Sequence, residues 1–148
     1  MRRKLELLAA LSVFAAAGPL TAQNAGGAKS DTAAQARSLM HGAYTEAQAS
    51  RGEDVFQQRC ALCHSTAEFS SPNFFGGWSG QPVHALYTMI RDRMPLDNPG
   101  SLTPQQYTDI LAYFFGLRDL PTGDDELPAD AEAQKAIRIE ISSDSVKR

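Results

Sequence analysis

Two cysteines and a histidine in close succession constrain this chain more than any other feature. They form the segment Cys60-Ala61-Leu62-Cys63-His64, and the chain contains no further cysteine. A CxxCH sequence is typical of c-type haem attachment, in which each thiol forms a thioether with one haem vinyl group. One turn of helix places both sulfurs on the same side, and the next residue reaches the metal. The motif therefore predicts a covalently bound haem, held by Cys60 and Cys63, with His64 as an iron ligand.

Three other interpretations of the motif stay open. A thioredoxin-type redox disulfide usually follows a strand, and no strand is predicted before Cys60. A zinc site needs about four ligands, and His41 and His84 are the only other imidazoles in the chain. The third alternative is a structural disulfide between Cys60 and Cys63. The adjacent histidine and the lack of other ligands favour haem.

The first 22 residues have the layout of a secretory signal peptide. A basic start at residues 2–4 precedes an apolar run from Leu7 to Ala17, and small residues lead to a cleavage position after Ala22. The run is short of the ~20 apolar residues of a membrane span, so no integral span is expected. Because thioether haem is attached outside the bacterial cytoplasm, signal and motif agree on a periplasmic location. The alternative is membrane tethering by an uncleaved N-terminus.

The rest of the chain divides into three predicted parts. Residues 23–41 are rich in Gly, Ala, Ser, Gln and Thr, which predicts a flexible tether. Residues 42–123 are predicted to fold as one domain, and residues 124–148 to form a partly ordered C-terminal tail. The formal net charge of −3 argues against a nucleic-acid partner.

The first predicted helix of the domain runs over residues 46–59. Thr45 is the expected N-cap, and Gln48 completes a capping box. Gly52 lies inside this helix, where glycine costs about 1 kcal/mol relative to alanine. That cost predicts the close approach of a second helix.

Apolar spacing predicts two further helices, over residues 82–93 and 103–120. In the second of these, Thr103 caps and Pro104 takes the first helical position. Residues 65–81 are predicted to form a loop round a flat apolar group, or a small satellite core, because they contain four aromatic residues: Phe69, Phe74, Phe75 and Trp78. His84 lies off the apolar stripe of its helix and is predicted to be solvated. In the tail, residues 128–136 are a candidate helix, and alternating isoleucines follow at positions 137, 139 and 141.

Met94 is the candidate for the second axial ligand of the iron. Pro95 follows it directly and cannot continue the preceding helix, and Pro99 and Gly100 make the next segment rich in turns. A thioether held rigidly at the end of a helix suits an axial position. A methionine that only fills the core is the alternative interpretation.

Taken together, these residues resemble those of class I cytochromes c in a small exported bacterial form. The resemblance covers residues 42–123 and rests on the CxxCH motif, the preceding Gly52 and Phe56, and Met94. It implies an all-α, cytochrome c-like fold of about three to four helices around one covalently attached haem c. It also implies that the glycine–phenylalanine pair packs against the last helix of the domain, here at Ile110 and Tyr113.

The same resemblance implies further contacts with the cofactor. Pro72 matches a proline whose carbonyl accepts a hydrogen bond from the proximal imidazole, which fixes the imidazole tautomer. Trp78 and Tyr87 match positions near the haem propionates. His64 and Met94 are thirty positions apart, which is shorter than in many members, so one haem edge is expected to be more exposed.

An iron with two strong protein ligands has no vacant position, which favours electron transfer over catalysis. A methionine ligand also raises the potential relative to bis-histidine ligation. The chain is therefore predicted not to be an enzyme but a periplasmic monohaem carrier of single electrons. Its expected partners are redox proteins, a dehydrogenase or a terminal oxidase, and it is expected to be a monomer or a subunit of a redox complex. The alternatives are a fixed cytochrome subunit of a quinoprotein or molybdenum dehydrogenase, and an enzyme such as a haem peroxidase or thiol oxidoreductase.

Overall fold

The computed structural model describes residues 38–141. The predicted signal peptide, residues 23–37 of the predicted tether and the last seven residues lie outside this range. A short 3-10 helix, Leu39–His41, comes first, and six α-helices follow: α1 (Glu46–Arg59), α2 (Thr66–Ser70), α3 (Pro72–Gly76), α4 (Val83–Arg93), α5 (Pro104–Gly116) and α6 (Ala131–Lys135). Between residues 38 and 141 the extended segments form only isolated bridges, so the predicted all-α class is confirmed. The three longest helices are the three predicted within the domain.

The crossing of α1 and α5 sets the geometry of the domain. A Cβ atom on Gly52 would overlap the carbonyl oxygen of Asp109 and lie 3.0 Å from the backbone nitrogen of Ile110. One turn further, the ring of Phe56 packs against that of Tyr113 at a centroid distance of 5.5 Å. The predicted close approach at Gly52 and the pairing with the last helix of the domain are both confirmed.

An ion-pair network reinforces the same crossing. Arg51 on α1 donates to both carboxylate oxygens of Asp109 on α5, at 3.1 and 3.2 Å, and to Glu126 at 2.8 Å. The Asp109 side chain is only 5% exposed, and Gln105 also donates to it at 2.8 Å. The buried carboxylate thus has several donors, as a buried charge requires.

Gly52→Ala is expected to destabilise the protein strongly. The new methyl group would meet backbone atoms of α5, which cannot move aside as a side chain can, so the cost should reach the upper end of the ~1–3 kcal/mol typical of overpacking or exceed it. The matched control is Gly116→Ala on α5, where the nearest atoms to a new Cβ lie at 3.8 Å. This control is expected to be neutral or stabilising by up to ~1 kcal/mol. Urea unfolding followed by circular dichroism measures both, and equal stabilities would contradict the expectation.

The N-terminus of α1 differs in part from the prediction. Thr45 is the N-cap, and its hydroxyl accepts from the backbone nitrogen of Gln48 at 3.1 Å. Gln48 does not return this hydrogen bond. Its buried amide instead exchanges two hydrogen bonds with the backbone of Leu127, at 3.0 and 2.7 Å. The long-range pairing wins because the buried backbone groups of Leu127 need partners.

Residues 65–81 were predicted to form a loop. The structure shows instead that they contain two short helices, α2 and α3. Ser65 and Glu68 start α2, with the backbone nitrogen of Ser65 donating to the Glu68 carboxylate at 2.9 Å. Ser71 caps α3, with Pro72 in its first position. Serine caps and a first-turn proline are helix-start signals, and here they act over single helical turns.

The last long helix, α5, begins at Pro104 as predicted but ends at Gly116, four residues before the predicted end. Asp119 has a positive φ of 54° and reverses the chain. The backbone nitrogen of Leu120 then donates to Phe115 at 3.2 Å. The hydroxyl of Tyr44 donates to the carbonyl of Leu120 at 2.6 Å, so a tertiary contact holds this turn.

The described part of the tail packs on the domain. Ile137 and Ile139 are buried, and the backbone around them is hydrogen-bonded to residues 80–83 at 2.8–2.9 Å. The predicted helix at 128–136 is shorter, spanning α6 only, because Asp130 caps it. Leu39, in the segment predicted as a tether, is also fully buried.

His84 was predicted to be solvated, but the structure gives its ring side-chain partners. Its Nδ1 lies 3.2 Å from the side-chain oxygen of Gln134 on α6, and its Nε2 lies 3.4 Å from the hydroxyl of Thr88. The ring also stacks near Tyr87 at a centroid distance of 6.0 Å. The tail folds back over α4, which supplies partners that the sequence stripe does not reveal.

Candidate cofactor site

The CxxCH segment forms a tight turn at the end of α1. The backbone nitrogen of Cys60 donates to Phe56 at 2.8 Å, and those of Cys63 and His64 donate to the Cys60 carbonyl at 3.1 and 3.0 Å. The turn therefore gathers both thiols and the imidazole at one end of the helix. Cys60 is half-buried against the core, and burial raises the pKa of its thiol, with an opposing effect from the Arg59 charge.

The structure bears on the alternatives to haem. Both cysteines are free thiols. Across residues 38–141, no three His, Cys, Asp or Glu side chains come together as a group that could hold a metal ion. Neither a disulfide nor a zinc cluster is therefore formed by the described residues.

The imidazole of His64 is oriented by a carboxylate. Its Nδ1 lies 3.0 Å from one oxygen of Glu68, whose other oxygen accepts from the backbone nitrogen of Ser65. These two contacts, the Ser65 hydrogen bond first, lower the pKa of the Glu68 carboxyl. Among the described residues the Nε2 of His64 has no hydrogen-bond partner. Pro72, the predicted partner, stands at the first position of α3, and its contact with the imidazole stays a prediction.

Phe69 is the centre of an aromatic cluster beside His64. Its ring stacks on Phe114 of α5 at 4.1 Å with an interplanar angle of 7°. It also packs edge-on to His64, Phe56 and Phe74, at centroid distances of 5.5, 5.6 and 5.2 Å. The aromatic residues of segment 65–81 thus join the main core rather than forming a separate one.

Members of this segment differ in burial. Phe75 is fully buried against Phe115, whereas Phe69, Phe74 and Trp78 are half-buried at the margin of the core. Half-buried aromatic side chains leave apolar area that a flat apolar group would cover.

Met94 directly follows α4, and its backbone is held on both sides. Its nitrogen donates to Ile90 at 2.8 Å, and its carbonyl accepts from the hydroxyl of Tyr107 on α5 at 2.8 Å. Tyr107 is itself buried, and its ring packs edge-on to Tyr87 at 6.0 Å. The half-buried Met94 therefore occupies a defined position at the margin of the core.

Tyr87 of α4 packs against Tyr107 of α5 and so connects these two helices. The guanidinium of Arg91 lies over its ring at 5.7 Å, and Arg91 also pairs with Asp92 at 2.8 Å. This contact gives Arg91 a partner besides solvent. Whether Tyr87 meets a propionate stays a prediction.

The residues present fit a covalently bound haem. Two free thiols stand at the spacing that thioether attachment requires. An imidazole has one nitrogen hydrogen-bonded and the other available, as metal-ligating histidines have. Half-buried aromatic rings and a fixed methionine complete the apolar surroundings.

Two residues of the site escaped the sequence analysis. Glu68 is signalled by the Ser65-x-x-Glu68 pattern, a capping box that starts directly after the motif. Tyr107 looks in the sequence like one more member of the apolar stripe of α5. The sequence contains no signal that its hydroxyl reaches Met94, because that contact joins two different helices.

Comparison with known proteins agrees with the fold and the site. The family described as cytochrome c oxidase, cbb3-type, subunit III matches residues 47–114. Neither the comparison with curated proteins nor that with solved structures gave a match.

Fold, motif and family match define the chain as a c-type cytochrome, an electron-transfer haem protein whose cofactor is a covalently bound haem c containing iron. The likeness to the oxidase subunit family ends within α5 and does not extend to the tail. No helix among residues 38–141 is long and apolar enough to cross a membrane.

Proposed function

We propose that this cytochrome carries single electrons through a haem attached to Cys60 and Cys63, with His64 and Met94 as the axial ligands of the iron. The main support for this proposal is the turn that brings Cys60, Cys63 and His64 together. In that turn Nδ1 of the imidazole is hydrogen-bonded, whereas Nε2 has no hydrogen-bond partner among the described residues. This arrangement presents Nε2 for ligation. With two protein ligands the iron would have no vacant position for a substrate. The proposed role is therefore that of an electron carrier rather than an enzyme.

The bound haem supplies a one-electron couple between ferric and ferrous iron. The protein keeps the axial ligands in place during that exchange. Ile90 and Tyr107 fix the backbone of Met94, while the aromatic cluster round Phe69 limits the access of water. Rigid ligands lower the reorganisation that accompanies electron transfer, and a methionine ligand would favour ferrous iron.

Partner proteins would exchange electrons at the exposed edge of the site. Leu62, between the two cysteines, is 91% exposed, and Leu96, two residues after Met94, is 83% exposed. Both are large apolar side chains at the proposed ligand segments. A brief encounter with another redox protein needs only a small interface of this kind.

We also propose boundaries for the segments of the chain and a cellular location for the protein. We place the signal peptide at residues 1–22, the tether at 23–41 and the cytochrome domain at 42–123, followed by the tail. Export to the periplasm is supported by the N-terminal pattern and by the cofactor, since c-type cytochromes are typically exported.

A second candidate is a fixed subunit of a larger redox complex, such as a periplasmic dehydrogenase. The match to a family of oxidase subunits favours it. Size-exclusion chromatography of the protein from its native membranes and periplasm separates the two. A free monomer supports the carrier, whereas co-elution with a larger haem or quinone enzyme supports the subunit.

The direct test is a visible spectrum of the full chain made in a host that matures c-type haem. The carrier is expected to show low-spin c-type bands in both oxidation states, a methionine-to-iron charge-transfer band when oxidised, and no rapid binding of cyanide. A colourless protein, or one that binds cyanide at once, would contradict the proposed ligands.

Tyr107→Phe is expected to loosen Met94 without removing it. The change deletes one hydrogen bond to the Met94 carbonyl, worth about 1 kcal/mol, so imidazole should displace the thioether about fivefold more readily. Tyr113→Phe is the control, because it removes a hydroxyl from the same helix and leaves that hydrogen bond in place. Imidazole titration followed by the charge-transfer band measures both. Identical titration curves would show that Tyr107 does not position Met94.

A further inference from the structure

We infer that Glu68 is a positioning residue that tunes the haem iron through His64. The inference rests on the proposed function, since it takes His64 as an axial ligand. Glu68 stands four residues after His64, in the first turn of α2, and its carboxylate lies 3.0 Å from Nδ1. The polar partners of this carboxylate are His64 and Ser65.

The carboxylate is held at this place by the local fold. One oxygen accepts from the backbone nitrogen of Ser65 at 2.9 Å, closing the first turn of α2. The second oxygen is then directed at the imidazole. The edge of Phe69 packs near the same ring at 5.5 Å, so the imidazole is fixed both by a hydrogen bond and by an aromatic contact.

An ionised acceptor changes the ligand as well as orienting it. A hydrogen bond from Nδ1 to a carboxylate increases the basicity of the imidazole more than one to a neutral carbonyl. A more basic imidazole donates more charge to the iron and stabilises the ferric state. Glu68 therefore lowers the potential that a His/Met pair would otherwise set.

The expected size of this effect is moderate. The Glu68 side chain is 52% exposed, and solvent weakens a charge that is not enclosed. Altering such a partner of a metal ligand typically costs 10- to 100-fold in metal affinity or activity, and we expect an effect on the redox equilibrium at the lower end of that range because Glu68 is exposed.

Glu68→Gln removes the carboxylate while α2 keeps its start. Glutamine also serves at the third position of a capping box, where its single amide oxygen accepts from the backbone nitrogen of Ser65. The amide NH2 group, which cannot accept, then stands at the position of the oxygen that faces Nδ1. Glu53→Gln is the matched control, since it removes one negative charge from an exposed position on α1 near Tyr113. Both variants are made as the full chain with haem attached.

The experiment measures the ratio of reduced to oxidised haem at a fixed ambient potential. Glu68→Gln is expected to raise the ratio roughly tenfold, which for a one-electron couple is 59 mV, and Glu53→Gln less than threefold. Proton resonance of the reduced protein is expected to show the Nδ1 proton of His64 shifted upfield, and the methyl resonance of Met94 unchanged, in Glu68→Gln only.

The outcomes separate this inference from the proposed function. If wild-type protein shows His/Met spectra and Glu68→Gln matches Glu53→Gln in both readouts, the inference is overturned and the proposed function stands. This would be the result if a backbone carbonyl, such as that of Pro72, accepts from Nδ1 instead. If wild-type protein lacks those spectra, the proposed function and the inference both fail.

Discussion

Met94→Ala is expected to leave the haem covalently attached while abolishing the methionine-to-iron charge-transfer band. Without the thioether, water or an added ligand takes the sixth position, and the ferrous state loses its soft donor. The potential should fall on the order of 0.1 V, within the ~0.8 V over which axial ligands set haem potentials. Spectroelectrochemistry of the oxidised and reduced protein measures both effects.

Met89→Ala is the matched control for this experiment. Met89 lies on α4, five residues before Met94, and is half-buried against the same core. Because its side chain is only half-buried, this variant should lose at most about 2 kcal/mol of packing energy and keep the band and the potential. If Met94→Ala retains both the band and the potential, Met94 is not the ligand.

The double variant Cys60→Ser with Cys63→Ser is expected to yield protein without covalent haem that does not unfold cooperatively. Without the haem, half-buried rings such as Phe69 and Phe74 lose the apolar group that would cover them, and a domain of this size has only ~5–15 kcal/mol of stability in total to lose. Haem staining after denaturing electrophoresis and thermal unfolding by circular dichroism test the two parts.

Cys63→Ser alone is the control for the double variant. It keeps the half-buried Cys60 and His64, so one thioether and the proximal ligand remain, and haem staining should persist. A colourless double variant that is compact and melts cooperatively would show that the aromatic cluster forms a complete core without the cofactor. The half-buried rings would then need no haem to cover them.

Local signals in the sequence predicted the helices well. Thr103 and Pro104 start α5 where they were expected to, and α4 ends at Arg93, two residues before Pro95. Caps and prolines act within one turn, through hydrogen bonds and sterics that depend on near neighbours only. Gly52 predicted a tertiary contact as well, because a buried glycine within a helix is costly unless something replaces the missing side chain.

Contacts between distant residues were not predictable in the same way. Gln48 has the right spacing for a capping box, yet it pairs with Leu127. His84 lies off its stripe, yet the tail supplies Gln134. In each case the local pattern correctly described one helix taken alone. The hydrogen-bond partner was different because a segment many residues away offered a more buried one.

By itself, the sequence determined the class of cofactor, because two thiols and an imidazole stand at the spacing that covalent haem attachment requires. Only the tertiary structure decided which distant residues meet. Tyr107 meets Met94 and Gln48 meets Leu127 because the chain folds back on itself. Hydrogen-bond partners of that kind depend on distances in space, which residue spacing alone does not specify.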